Sequence, residues 1–331
     1  MHLASKAVDL TLEAVMGWTK RECVTYLAVA RWGSAEVMPC PHCGTTTKHY
    51  FRPLELRWKC KGCDSTFSVT SGTVYADRKM PLQRFIATLL GWANGAAGKP
   101  ALQLRRDTKS SYNATFSLLH KAREGLSRMN NVGVLCGVQE GDGMDALGKD
   151  YKGKRNQPQV RAQPKPQIPA HLLKPVDGEL VGPPAPFKAQ KRARMPEGRR
   201  LCLTFRQRGV VKGKGAVRTR VVTALQESAM TVSKFARQFL STSSHLVTDE
   251  DPSYAKLGKS FASHHTIKHS EAFSKDGINQ NQAESFNARL RRSLEGTYLN
   301  VSRKYLHEYA CEAAWREDTR RLSTGERLQM L

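Results

Sequence analysis

Hydrophobic and polar positions along the chain switch between two periods. Leu10, Leu12, Val15 and Met16 give one apolar face to a short helical lead-in within residues 1–37, and a second short helix is expected from Arg21 to Ala30, ending near Gly33. Residues 38–75 mix Thr, Phe, Trp and Val with paired cysteines, which predicts short strands and tight turns. Helical spacing returns at 80–127. Phe85, Leu89 and Leu90 mark a first helix, Gly95 and Gly98 interrupt it, and Pro100–Arg106 form a second. A third, capped by Thr108 or Ser110, runs to about Leu126 with Phe116, Leu119 and Ala122 on one face. Three helices with a tight polar turn before the last resemble a helix-turn-helix unit.

The second half follows another rhythm. Strands are expected at Leu201–Arg206, Val217–Leu225, His245–Thr248 and His264–Lys268, and helices at Thr231–Leu240, 279–296 and 302–318. That order is an α/β pattern. Residues 150–200 show neither period. Nine of the fifteen prolines lie there and basic residues outnumber acidic ones threefold, so the stretch reads as a disordered or extended basic insert.

Composition narrows the partners. Among 331 residues the 53 Lys and Arg exceed the 29 Asp and Glu by 24, while 40% of positions are apolar. A core is affordable, and the excess charge asks for a polyanion, with nucleic acid first. A ribosomal or histone-like role is compatible with charge alone. Lys6, Asp9 and Glu13 break any signal-peptide core, and no stretch reaches the roughly 18 apolar residues of a membrane span. A reducing cytoplasm, no membrane and no disulfide framework are therefore expected. The scattered Cys23, Cys136, Cys202 and Cys311 read as small buried residues.

The other four cysteines form two C-x2-C pairs, Cys40/Cys43 and Cys60/Cys63, with 16 residues between them. Four thiolates at this spacing can close a tetrahedron round one structural Zn²⁺, and Gly44 and Gly62 allow the tight knuckles. Two pairs at this spacing argue against a redox motif.

Three carboxylates form a second constellation. Asp142 follows the apolar run Val132–Val138, Asp249 ends the strand Leu246–Thr248, and Glu284 lies on a helix 35 positions later. Carboxylates at strand ends sit where sites form, and two aspartates with one helical glutamate can hold two Mg²⁺ ions that act on a phosphodiester. Ala283, Phe286, Leu290 and Leu294 make the buried stripe of that helix. Asn281, Glu284, Ala288 and Arg291 make its neighbour, so Glu284 and Arg291 share a face.

These segments, with Trp58-Lys-Cys60, Phe67–Thr73, Glu140-Gly-Asp142-Gly, Thr248-Asp249-Glu250, His269–Phe273, Asn281-Gln-Ala-Glu284-Ser-Phe286, Arg289–Arg292 and Trp315-Arg-Glu-Asp318, resemble the bacterial insertion-sequence transposases of the DDE type with an N-terminal zinc ribbon, the ISXO-like group. The resemblance covers about residues 25–325. It implies a ribonuclease-H-like catalytic domain at 132–320, interrupted by the basic insert, after a ribbon at 38–75 and a helix-turn-helix-like region at 80–127. It implies that Asp142, Asp249 and Glu284 are the metal-binding triad for Mg²⁺ or Mn²⁺. Asn281 is a second candidate for the third position, and Arg291 falls where relatives place a basic residue. The implied activity is metal-dependent cleavage at element ends and transfer of 3′-hydroxyl ends into target DNA, by a homo-oligomer assembled on double-stranded DNA near the nucleoid. Three departures stand out, the first being a Pro-rich insert at 156–200 that is longer than expected between the first two strands. Met144-Asp145-Ala146-Leu147 replaces an aromatic and glycine pairs, and Gly141 replaces a β-branched residue, which predicts a weakened strand. An inactive copy, or a zinc-ribbon DNA-binding regulator without activity, is the alternative.

Arg105, Arg106 and Lys109, with Ser110 and Asn113 at the start of the third helix, are candidates for DNA contact, as are Arg291 and Arg292. The basic runs Lys149–Arg155 and Lys188–Arg200 suit phosphate contact without base reading.

Overall fold

The computed structural model describes residues 7–146, 200–211, 215–267, 279–299 and 301–331, with the backbone alone of 174–176 and 179–181. The chain opens with α1 (Leu12–Gly17) and α2 (Lys20–Trp32). A capping box starts α2: the Thr19 hydroxyl accepts the Glu22 N–H while the Glu22 carboxylate accepts the Thr19 N–H. Gly33, at φ 73°, ends it in the left-handed conformation that only glycine adopts without strain.

Five short strands follow: β1 (Met38–Pro39), β2 (Thr46–Thr47), β3 (Tyr50–Arg52), β4 (Arg57–Lys59) and β5 (Thr66–Phe67). They pair as a two-stranded and a three-stranded antiparallel sheet. Then come α3 (Leu82–Ala93), α4 (Ala101–Asp107) and α5 (Tyr112–Asn130). Ser111, one residue after the expected cap, starts α5 by accepting the Ala114 N–H. One apolar core runs through all of these, from Val15, Cys23 and Ala28 through Trp58 and Phe67 to Ile86, Leu90 and Leu119. The segments that the sequence divides at 37 and 75 thus share a single interior.

The second half is built on a five-stranded mixed sheet. Its strands are β6 (Val138–Ala146), β9 (Arg200–Arg208), β10 (Ala216–Ala224), β11 (His245–Asp249) and β12 (Ser263–Ile267), arranged β10-β9-β6-β11-β12. The strands β6, β9 and β10 are antiparallel, while β11 runs parallel to both β6 and β12. Helix α6 (Ala229–Phe239) joins β10 to β11, and α7 (Asn281–Arg292), α8 (Leu306–Asp318) and α9 (Thr324–Gln329) close the chain. The alternation of β9 shows the layering. Leu201, Leu203 and Phe205 pack with Phe235 and Phe239 of α6, and Cys202 packs with Phe286 and Leu290 of α7 and Cys311 of α8. The α/β pattern is therefore a three-layer arrangement with the sheet in the middle.

Several expectations change. Gly141 does not weaken its strand: β6 is continuous for nine residues, and a Cβ at Gly141 would meet the Phe205 ring at 2.4 Å. Asp142 lies mid-strand rather than at a strand end. Helix α7 stops at Arg292 and a π-helical turn, Ser293–Thr297, follows it. Within the insert, β7 (Lys174–Val176) and β8 (Glu179–Val181) form an antiparallel hairpin where no period was visible. The insert, 149–198, is a compact unit separate from the rest, and Lys149–Arg155 and most of Lys188–Arg200 lie outside the described residues. Cys23, Cys202 and Cys311 are buried as expected, but Cys136 is exposed. Among the described residues no helix is long and apolar enough to cross a membrane.

Helix α8 joins the two halves. One side packs on the sheet and the other on α5. At that junction Glu312, 1% exposed, accepts from Arg123 Nε at 2.7 Å and from Arg316 Nε and Nη2 at 2.9 and 2.7 Å. Burial alone would push the Glu312 carboxyl up, but the two guanidiniums hold it below its ordinary value. Trp92 stacks on Trp315 beside them, with ring centroids 5.9 Å apart. Removing one member of a buried ion group strands the other. Glu312→Ala, which leaves both buried guanidiniums without their carboxylate, should therefore lower unfolding free energy by about 3–5 kcal/mol, read as a drop in denaturation midpoint. A change below about 1 kcal/mol would show that solvent reaches Glu312.

Candidate metal centres

The cysteine quartet converges as its spacing requires. Cys40 Sγ lies 3.8 Å from Cys63 Sγ, Cys43 Sγ lies 3.6 Å from Cys60 Sγ, and all four sulfurs fall within 4.8 Å of one another. Four sulfurs at about 2.3 Å from a shared zinc stand about 3.8 Å apart in a tetrahedron, so the set fits Zn²⁺. Backbone N–H groups two residues on point back at the sulfurs: His42 donates to Cys40 Sγ and Gly62 to Cys60 Sγ. Contact with the Thr45 hydroxyl, 3.3 Å away, and with the Thr45 backbone leads the causes that bring the Cys43 thiol down to about 6, towards the thiolate that a metal needs.

Aromatic rings buttress the knuckles. Trp58 stacks on Phe67, and Trp32 from α2 meets both edge-on. His49 belongs to no motif visible in the sequence. It is 5% exposed, accepts the Lys61 N–H on Nδ1 and bonds the Met38 carbonyl through Nε2, so it ties β1 to the second cysteine knuckle.

The carboxylates come together through register. Val247 of β11 pairs with Glu140 of β6, where their ladder ends, and Asp249 and Asp142 each lie two residues further along these adjacent parallel strands, close enough for the charge of Asp249 to act on Asp142. Both face α7, because Glu140, Asp142 and Met144 share one face of β6 and Val247 and Asp249 share one face of β11. Asn287 of α7 donates from Nδ2 to Asp142 Oδ2 at 2.8 Å, and Thr204 fixes that amide by donating to its Oδ1 at 3.0 Å. Glu284 is one turn earlier on α7. Burial pushes the Asp142 carboxyl up to about 7. The charges of Asp249 and Glu284 add to that push, and Asn287 opposes it. Three mutually repelling hard-oxygen donors suit a divalent cation, although among the described residues only the cysteines gather their ligand atoms into a closed cluster.

What holds α7 in place was not legible as a motif. Its first turn has no side-chain cap of its own. Glu140, fully buried on β6, accepts the N–H groups of Gln282 and Ala283 at 2.7 and 3.0 Å, and its other oxygen pairs with Arg208 Nε at 2.6 Å. Gln280 donates to the Gly141 carbonyl at 2.6 Å. On the opposite face of the sheet Glu227 accepts from the Tyr254 hydroxyl and lies over Gly143, where a Cβ would meet it at 2.3 Å. Burial pushes the Glu227 carboxyl up, and Asp251, Asp249 and Asp145 add to the push.

The remaining candidates are distributed. Asn281 is the exposed first residue of α7, and Arg291 and Arg292 are exposed at its end. Arg105 and Arg106 are exposed on the last turn of α4, Lys109 is exposed in the turn at φ 49°, Asn113 is exposed on the first turn of α5, and Ser110 is half-buried against the Thr108 hydroxyl. This group lies on α4 and α5, while the carboxylates lie on the sheet and α7.

Comparison with known proteins identifies two domains in the chain. Residues 19–66 match the transposase zinc-ribbon domain, and residues 175–318 match the ISXO2-like transposase domain. The second match contains Asp249 and Glu284 and begins after Asp142, which joins them through the sheet. No curated protein and no solved structure matches the chain.

Two outcomes follow from this geometry. Stripping zinc with a chelator should unfold residues 38–75, since metal binding supplies on the order of 10 kcal/mol to such folds. Because Trp58 and Trp32 are in contact, tryptophan emission should shift red. An unchanged spectrum would mean that the aromatic core suffices. Glu140→Ala strands Arg208 and two helix N–H groups, at a cost of about 3–5 kcal/mol. Amide exchange should then accelerate first at residues 281–286, and uniform protection along α7 would refute the capping role.

Proposed function

We propose, on the premise that the chain belongs to the ISXO2-like transposases with an N-terminal zinc ribbon, that it cuts DNA at the ends of an insertion sequence and joins the 3′-hydroxyl ends to target DNA at Asp142, Asp249 and Glu284. The observation that carries this reading is the Asp142 carboxyl, half-buried and held by Asn287, and raised to about 7 by desolvation with the charges of Asp249 and Glu284 behind it. Such repulsion has no structural use in a regulator, and it suits a site that takes up Mg²⁺ or Mn²⁺.

The domain reads as ribonuclease-H-like. Support comes from three antiparallel strands extended by two parallel ones, with the first strand central and acidic residues on adjacent strands. Asp142, Asp249 and Glu284 would hold the divalent metal, with Asn281 as the second candidate for the third position. When bound, such a metal activates the attacking oxygen and stabilises the leaving one. Asn287 keeps one Asp142 oxygen oriented, and Glu140 sets the depth of α7 and so of Glu284. In the cleavage step water attacks phosphorus and a 3′-hydroxyl leaves. In the transfer step that hydroxyl attacks a target phosphodiester, one P–O bond forms as another breaks, and no further reactant is needed.

The helices α4 and α5 with their short turn read as the helix-turn-helix-like unit. Arg105, Arg106, Lys109, Ser110 and Asn113 would meet duplex DNA there, while Arg291 and Arg292 would meet the strand at the carboxylates. Zinc is structural. Two element ends require two sites, so a homo-oligomer assembled on DNA is part of the reading.

Strand transfer on DNA carrying the element ends, with Mg²⁺ or Mn²⁺, tests it. Asp249→Ala should abolish product without loss of DNA binding. Asn287→Ala should slow the reaction roughly 10–100-fold, as removal of a hydrogen-bond partner behind a metal ligand does. Product from Asp249→Ala would overturn the mechanism. End binding without cleavage by the natural protein would favour the non-enzymatic alternative.

A further inference from the structure

On the flank of α7 away from Glu284 lies an open cleft of about 690 Å³. Gln282, Ser285 and Arg289 of α7 form one wall, and Arg316, Arg320 and Arg327 line the other. Helical geometry fixes its relation to the carboxylates. At 3.6 residues per turn, Glu284 and the Gln282–Ser285–Arg289 face lie roughly 110° to either side of the buried stripe. The solvent-facing ridge between them carries Asn281 and Arg292.

The cleft has cations to spare. Its one carboxylate, Glu317, accepts from Arg206 at 3.2 Å and from Arg289 at 2.7 and 2.9 Å. Arg316 is satisfied by Glu312 and by the carbonyls of Trp92, Ala93 and Gly95. Among the described residues Arg327 has neither kind of partner: its guanidinium lies over the Trp315 ring at 5.2 Å, and its Nε is buried without a hydrogen bond. Burial, with Arg316 nearby, pulls that guanidinium down to about 10. A half-buried cation beside other cations gains most from an anion that crosses the cleft.

We propose that this cleft holds the sugar-phosphate backbone of the DNA strand that passes over α7 into the carboxylate site, with Arg327 as its anchoring contact. The proposal rests on the transposase reading and extends it to the path of the substrate. A helix is about 10 Å across, so the gripped phosphate lies a few nucleotides at most from the reacting one. Arginine pairs with phosphate through two parallel N–H donors, which a free ring-stacked guanidinium can present without rearrangement.

Phosphate contacts are blind to sequence, so a duplex of arbitrary sequence serves as the probe. Anisotropy titrations of the zinc-loaded full chain over a range of salt should show that Arg327→Gln weakens binding several-fold. The slope of log affinity against log salt should fall by about 1, the loss of one phosphate contact. Arg327→Lys should restore the slope. Should the Gln variant fail to fold, phenylglyoxal modification of the natural protein, read by mass spectrometry, gives the same answer: duplex DNA should protect Arg327, and inorganic phosphate at equal ionic strength should not. An unchanged slope in the folded Gln variant, or equal modification with and without DNA, overturns the proposal. Protection by inorganic phosphate alone overturns it too, by making the cleft a small-anion site. A natural protein that binds no DNA removes the transposase reading and this proposal together, whereas tight binding that is indifferent to Arg327 removes only the latter.

Discussion

Glu140 is the residue on which the carboxylate site depends. It lies two positions before Asp142 on β6, so the pleat sends both side chains to the same face. One Glu140 oxygen receives the first N–H groups of α7 and the other receives Arg208. A fully buried carboxylate costs several kcal/mol in lost hydration. Here the partly positive end of a helix, worth up to about 2 kcal/mol in buried geometries, and a charge-assisted pair at 2.6 Å offset that cost. The strand that presents Asp142 thus also sets where the helix presenting Glu284 begins. Phe205 presses on the other side of the same strand and leaves room only for Gly141. Strand and helix cannot shift independently without exposing a buried charge or closing a packed gap.

A second buried carboxylate does for the two halves what Glu140 does for the site. Glu312 on α8 gathers Arg123 from α5 and Arg316 from its own next turn, beside the stack of Trp92 on Trp315. The far side of α8 packs on the central sheet. Helices α3 and α5 in turn share their interior with Trp58 and Phe67, the rings that back the cysteine quartet. Zinc, the helical region and the carboxylates are therefore joined by continuous packing rather than by linkers. Trp32 carries this packing from the rings behind the cysteines into α2.

Local chemistry was legible in the sequence and long-range register was not. The cysteine quartet declared itself because its ligands are fixed by two tight turns, each within four residues. Asp249 and the helix of Glu284 were placed by strand and helix periods that hold over short windows. Asn287 stood one turn from Glu284, and the same periodicity could have found it. Glu140, Arg208 and Glu227 carry no local signature. Their roles follow from which strand neighbours which, and the order β10-β9-β6-β11-β12 is not written in any one segment. Gly141 shows the same limit. In the sequence it is a defect in a strand, and in the fold it is the space that an aromatic ring occupies from across the sheet. The hairpin at 174–181 is too short, and too rich in its surroundings in proline and charge, for any period to stand out.

The charge of the chain has the same lesson in it. An excess of 24 positive charges suggests a surface wholly given to a polyanion. A part of the basic side chains is used internally. Arg123, Arg206 and Arg316 are buried, Arg208 and Arg289 are paired with carboxylates, and Arg220 reaches backbone carbonyls. Arginine suits that work, since it stays charged when buried and satisfies several acceptors at once. Among the described residues, three groups of cations lie on or beside α4, α5 and α7: the turn between α4 and α5, the end of α7 at Arg291 and Arg292, and the cleft at Arg327. A site that must bring phosphates against mutually repelling carboxylates needs its cations placed around that approach, because exposed charges more than about 10 Å away are largely screened at ordinary salt. Under the transposase reading, the arrangement of the arginines rather than their total is the feature that would bear on how a nucleic acid strand reaches Asp142.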